Sequence, residues 1–212
     1  DSFNSICVIP SIDGANASID DFYTVVKRTI NGQITYYVEF MADEEAFVDC
    51  CSHSIFAAPV TTIGNLQYLQ GRHAWVVLNG NAILDGGIID ATGTITFPPA
   101  VSASDVQVGL NYTSEMLTVR PEPRGTVQGL IKRWTKVWAR IYSSLGLTIN
   151  NTNIPISLTS TPLGQGQPLF TGDLQIVNLG FDRDGRVDIM QPNPLPSNVL
   201  GIFGMFEVSD GI

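Results

Sequence analysis

Apolar and polar residues alternate along this chain in short runs separated by turn-forming residues, the pattern of strands half buried in sheets. Ser5 to Ile9 is the first run. Phe22 to Thr29, the pair Asn31-Gly32 and Gln33 to Phe40 then make the clearest hairpin pattern. A two-residue type I′ turn needs positive φ at both central positions, and Asn-Gly supplies it. Ala74 to Leu78 before Asn79-Gly80, Ile83 to Ile88, Thr94 to Phe97, Asp105 to Gly109 and Ser114 to Val119 continue the series. Strands recurring every roughly eight to twelve residues, with Gly, Pro and Asn between them, predict an all-β barrel or sandwich. No segment before Pro121 sustains a helical period.

Two prolines and a glycine in Pro121-Glu122-Pro123-Arg124-Gly125 interrupt the pattern and mark a boundary. Residues 41–122 are expected to form a small β-barrel and residues 123–212 a β-sandwich-like unit. Beyond the boundary, Ile131 to Tyr142 fits two periods. Helical spacing puts Ile131, Trp134, Trp138 and Ile141 on one face. Strand spacing puts Trp134, Lys136, Trp138, Arg140 and Tyr142 on one face and Val137, Ala139 and Ile141 on the other. We read it as a strand, because Trp, Val, Thr and Tyr suit a pleated surface and neither end carries a helix cap. Ile154 to Leu158, Leu174 to Leu179, Gly185 to Met190 and Val199 to Val208 are the remaining strand candidates.

Charge changes this picture. Only 15% of the 212 residues are charged, against a usual share of about 25%, which fits a protein that buries area against neighbours. The net charge of −9 is uneven: residues 1–122 carry 4 basic and 14 acidic side chains, residues 123–172 carry 5 and none, and residues 173–212 carry 2 and 6. The whole chain will not hold nucleic acid by charge, but the middle segment is expected to meet an acidic surface, within or between chains, with the first 122 residues as its source. Cys7, Cys50 and Cys51 leave an odd number in any pairing, so reduced, buried thiols are expected. No apolar run reaches the ~18 residues needed to span a membrane, no signal-peptide pattern opens the chain, and Asp1 followed directly by a strand-like run reads as a start inside a longer protein.

Few residues suggest chemistry. Asp182-Arg183-Asp184-Gly185-Arg186-Val187-Asp188 has the carboxylate spacing of a calcium loop, yet the first and last ligand positions fall on Gly180 and Gln191, and Asp184-Gly185 is a good hairpin turn. His53 and His73 with Cys50 and Cys51 match no closed zinc spacing. The serines lie in no nucleophile-elbow context. A hydrolase would need Asp43, Glu44 or Glu45 to face Asp49 across a cleft, and a sugar-binding module would need Trp75, Trp134 and Trp138 on one exposed platform. The expectation is therefore no enzyme, no cofactor and no metal.

Several phrases resemble the family of bacteriophage tail nozzle proteins, also called tail tubular or stabilisation proteins. They are Val25-Val26-Lys27-Arg28-Thr29-Ile30-Asn31-Gly32 with Tyr37-Val38-Glu39, and Val108-Gly109-Leu110-Asn111-Tyr112-Thr113-Ser114. Lys132-Arg133-Trp134 leading to Arg140-Ile141-Tyr142 and Leu145-Gly146 follow, then Leu169-Phe170-Thr171-Gly172-Asp173, and Pro194-Leu195-Pro196 with Val199-Leu200-Gly201-Ile202. The sequence departs from the pattern at Cys50-Cys51-Ser52-His53, where relatives carry a small glycine-containing turn. The resemblance implies the carboxy-terminal portion of such a protein, with residues 1–40 as the last hairpin region of a missing, propeller-like β part. It implies a homo-oligomeric ring, commonly of six copies, in a virion tail assembled in the bacterial cytoplasm, touching portal, adaptor or other tail proteins while DNA passes through. A carbohydrate-binding or host-adhesion module of a tail is the alternative.

In the run from Lys132 to Arg140, cations and aromatics interleave. Such a mixture builds single-stranded nucleic-acid grooves and also packs subunit seams. We expect the seam, with Lys132, Arg133, Trp134, Lys136, Trp138 and Arg140 as subunit or domain contacts. A conduit that releases a genome should not grip it.

Overall fold

The computed structural model describes residues 1–12, 18–41, 46–122, 130–153, 167–177 and 180–209. The fold is all-β, and every described strand pairing whose register is defined is antiparallel. Residues 1–79 and 83–111 form one compact unit, and residues 80–82 with 112–212 form a second. The hairpin region 1–40 thus shares a unit with the strands that follow it, and the chain leaves that unit ahead of Pro121. Among the described residues no helix is long and apolar enough to cross a membrane.

In the first unit, β1 (Ser2–Ile12), β2 (Ser18–Ile30) and β3 (Gln33–Phe40) form a three-stranded sheet in that order. The β2–β3 turn is the one the sequence demands: Ile30 pairs with Gln33, and Asn31 and Gly32 have φ of 47° and 74°. A second sheet runs β4 (Asp49–Val60), β9 (Ala103–Leu110), β6 (His73–Leu78), β7 (Ala82–Ile88), with a separate pair β5 (Thr62–Ile63) and β8 (Ile95–Thr96). Val26, Leu66, Leu69, Ala74, Val76, Val106 and Val108 are buried in this unit. Its turn end is tied down by the Asn31 amide, which donates to the Gln70 carbonyl at 2.8 Å, and by the Tyr37 hydroxyl, which donates to the Tyr68 carbonyl at 3.3 Å.

Two expectations need correction here. No sheet among the described residues closes into a barrel; alternation reports that a strand has two different faces, which open and closed sheets share. Strand β4 also falls where the alternation predicts no strand. Its pairing with β9 shifts register between Asp49 and Ser52 and again between Ile55 and Val60, so bulges erase the period of two. Gly109 marks the tight spot, since a Cβ there would sit 2.4 Å from the Asp49 carbonyl oxygen.

In the second unit, β11 (Ile131–Ser144) is the centre of one sheet, with β14 (Phe170–Val177), β15 (Phe181–Asp182) and β17 (Asn198–Ser209) all bonded to it. Strands β10 (Ser114–Leu117), β16 (Asp188–Gln191), β12 (Thr148–Ile149) and β13 (Thr152–Asn153) form the other. Val137, Ala139 and Ile141 of the first sheet meet Leu147, Ile149, Val187 and Ile189 in an apolar core between them. The ambiguous Ile131 to Tyr142 segment is thus a strand, and the unit has the layered form of a sandwich. The candidate strand Ile154 to Leu158 lies outside the described residues.

Candidate functional site

Strand β11 carries the basic and aromatic run, and a bulge decides what each residue does. Its pairing with β17 shifts register between Trp134 and Lys136, so the inward and outward phases exchange at Thr135, whose hydroxyl donates to the Met205 carbonyl at 3.1 Å. Before the bulge Lys132 and Trp134 point into the unit; after it Val137, Ala139 and Ile141 do. Trp134 and Trp138, which simple alternation places together, lie on opposite faces of the sheet. The expected contact set therefore divides in two.

Lys132 and Trp134 hold a loop. Lys132 is 0% exposed, and its Nζ donates to the Arg183 carbonyl at 3.2 Å. The Trp134 indole donates to the Gly185 carbonyl at 2.7 Å and meets the Phe206 ring edge-on at 5.0 Å. Gly185 has φ of +63°, and a Cβ there would press on Lys132 and Phe206, so backbone conformation and packing both require glycine. Asp182 accepts the Gly185 amide at 2.9 Å, and its carboxyl is held below its ordinary range by that bond and, more weakly, by the Lys132 charge. Asp184 pairs with Arg120. This loop is a turn as expected, but not a simple hairpin: β15 and β16 on either side of it belong to different sheets.

Arg133, Lys136, Trp138 and Arg140 form the outer face together with β17. Trp138 stacks on Phe203 with centroids 6.0 Å apart and planes 9° from parallel. The Arg140 guanidinium lies 5.3 Å over the same Phe203 ring and grips Asp173 with two bonds of 2.7 and 2.9 Å. That hydrogen bonding lowers the Asp173 pKa and raises that of Arg140. Arg133 reaches Glu207 at 3.0 Å and covers the Phe181 ring at 4.8 Å. Met205, Tyr142 and Phe203 remain exposed beside them. Three cations on this face thus meet two carboxylates, so the most basic segment of the sequence makes a nearly neutral surface. Its acidic partners come from the last segment of the chain, in the same unit, rather than from the first 122 residues. Phe181, Phe203, Asp173 and Glu207 were not singled out by the sequence; the alternation of β17 and the acids opposite a basic strand were the available signals.

The remaining candidates do not assemble. His53 pairs with Asp105 at 2.8 Å and His73 with Asp85 at 2.9 Å. Cys50 and Cys51 are free thiols that burial pushes up to about 12 and about 11, far from the lowered range of reactive cysteines. Among the described residues no group of three or more His, Cys, Asp or Glu is placed to hold a metal ion. Asp49 is bound to Arg28, while Asp43, Glu44 and Glu45 lie outside the described residues. Trp134 faces inward and Trp138 outward on β11, so these two share no platform, and Trp75 belongs to the first unit. No protein-family model and no curated protein sequence matches the chain.

Proposed function

We propose that this chain is a structural, non-catalytic part of a bacteriophage tail, the carboxy-terminal portion of a nozzle protein whose copies ring the channel through which DNA leaves. The sequence phrases quoted above support the family. The observation that carries the role is the outer face of β11 and β17, where Trp138, Phe203, Arg140, Arg133, Tyr142 and Met205 are the residue types that dominate protein contacts. Its near-neutral charge balance favours a protein neighbour over a phosphate backbone, which needs an excess of cations. In this reading the copies assemble in the bacterial cytoplasm, contact portal, adaptor or other tail proteins and remain in the virion. Negative-stain electron microscopy of the full-length protein tests it: a ring with a central hole is expected, and particles without one overturn the reading. Changing Lys136 and Arg140 to Glu together with Trp138→Ala should abolish the ring while the β-type circular dichroism persists. Lys132 and Trp134 are left intact because they hold the interior. The alternative of a carbohydrate-binding tail module draws on the stacked Trp138–Phe203 pair alone, and binding on a glycan array lost in Trp138→Ala would favour it.

A further inference from the structure

The sheet of β1, β2 and β3 packs one face along part of β2 only, while Phe3, Ile6, Val8 and Phe22 on that same face stay exposed. Val26, Arg28 and Ile30 turn into the first unit and are buried. The opposite face carries Ile34, Tyr36, Val38 and Phe40 along β3, all exposed, with Val38 at 73% and Ile34 at 60%. Register places Lys27 beside Tyr36, Val25 beside Val38 and Tyr23 beside Phe40, and the Tyr23 and Phe40 rings lie 5.4 Å apart. Contiguous apolar surface of this kind marks an interaction site. What it fits is written along β2, where this face reads Asp21, Tyr23, Val25, Lys27: an apolar centre with a negative charge at one end and a positive charge at the other.

A strip with opposite charges at its two ends is complementary to itself when turned end for end. A two-fold axis passing near residues 24 and 25 sets Lys27 of each copy against Asp21 of the other and lays the Val25, Val38 and Phe40 side chains together, the reciprocal arrangement an isologous interface demands. Aligned face-to-face packing of two twisted sheets accommodates this geometry. We propose that this face binds a second copy of the same chain through such a two-fold contact. The partner is fixed by the charge order, since an unrelated apolar surface has no reason to carry it reversed. About this axis only the Val38 to Phe40 end of β3, which pairs with residues 23–25 of β2, meets its counterpart, so Ile34 and Tyr36 stay outside the overlap. The contact therefore falls among small, reversible interfaces. The proposal goes beyond the tail reading, whose seam is placed on the other unit.

Sedimentation velocity of the 212-residue chain over a concentration series tests it. A monomer–dimer equilibrium in the micromolar range is expected. Val38→Asp should abolish the dimer with unchanged circular dichroism, because that side chain is exposed in the single chain. Lys27→Asp alone and Asp21→Lys alone should each weaken the dimer about tenfold or more, since each creates two like-charge contacts per dimer. The double exchange should restore it. A monomer at every concentration overturns the proposal. So does a dimer indifferent to Val38→Asp, which would use another surface, and so does a double exchange no better than the single changes, which would remove the two-fold register. Ring formation by the full-length protein is read separately, so failure here leaves the tail reading standing.

Discussion

Arg28 in the first unit and Lys132 in the second are both removed from water, at 1% and 0% exposure, and they are satisfied in opposite ways. Arg28 meets charge with charge. Its guanidinium binds Glu39 through two bonds of 2.6 Å, Asp49 at 2.7 and 2.9 Å and Asp1 at 3.2 Å, and Arg72 closes the far side of Asp1 at 2.9 Å. This network joins β2 and β3 to the start of β4, so it ties the hairpin sheet to the rest of its unit. Lys132 instead meets a backbone carbonyl and the field of a turn. The difference follows from the groups: a planar fork suits several carboxylates, and an ammonium on a flexible stem suits a single carbonyl.

The largest effect should come from separating these two cases. Arg28→Met strands Glu39 and Asp49 beside an apolar side chain, while Asp1 keeps Arg72, and should cost about 3 kcal/mol, the lower part of the range for breaking a buried pair, because Glu39 and Asp49 keep some contact with water. Lys132→Met keeps the packed stem against Gly185 and loses one hydrogen bond, so about 1 kcal/mol is expected. Urea denaturation of both variants checks the order. Equal costs would break the comparison and place an unseen charge beside Lys132.

How much of this was legible depends on how local its cause is. The Asn31-Gly32 hairpin was readable because two adjacent residues set the turn. The interior of β11 was readable because Val137, Ala139 and Ile141 repeat every second position. The inward turn of Trp134 was not, since the bulge at Thr135 arises from register with β17, about seventy positions away. The same holds for the partners of Arg140 and Arg133, which lie 33 and 74 residues along the chain. β4 escaped notice because its two register shifts and Pro59 leave no alternation to count. The charge block was visible, but its neutralisation by Asp173 and Glu207 is a property of the folded sheet.

A second way to sharpen the contrast uses alkaline pH, since all three cysteines belong to the first unit. Burial raises the Cys50 and Cys51 thiols to about 12 and about 11, with nearby Arg28 pulling Cys50 the other way, and burial raises Tyr68 as well. A raised pKa means the folded chain holds the proton more firmly than the unfolded one. The stabilisation is therefore complete below the ordinary thiol pKa of about 8.5 and is lost as pH climbs through 11 to 12. Fluorescence of the unaltered chain and of Trp75→Phe, which leaves only the two tryptophans of the second unit, should show the first unit loosening ahead of the second across this window. A Trp75→Phe signal that moves first would reverse the assignment.

The smallest effect is expected at Arg140, and its smallness is informative. Arg140 and Asp173 have the same bidentate geometry as Arg28 and Glu39, yet both side chains stand in solvent. Exposed pairs gain little from charge because water and salt screen them, to a range of about 3 Å in 1 M salt. Arg140→Gln should leave the melting temperature of the isolated chain unchanged within error at low and high salt. In the ring we propose, the identical change should matter more, because a face covered by a neighbour loses its water and leaves Asp173 with no cation to answer it. Melting curves of the isolated chain and of assembled full-length protein, each with and without Arg140→Gln, separate the two states. A loss in the isolated chain as large as that of Arg28→Met would mean that the outer face of β11 is already covered within one chain, and the seam would then have to be sought on another surface.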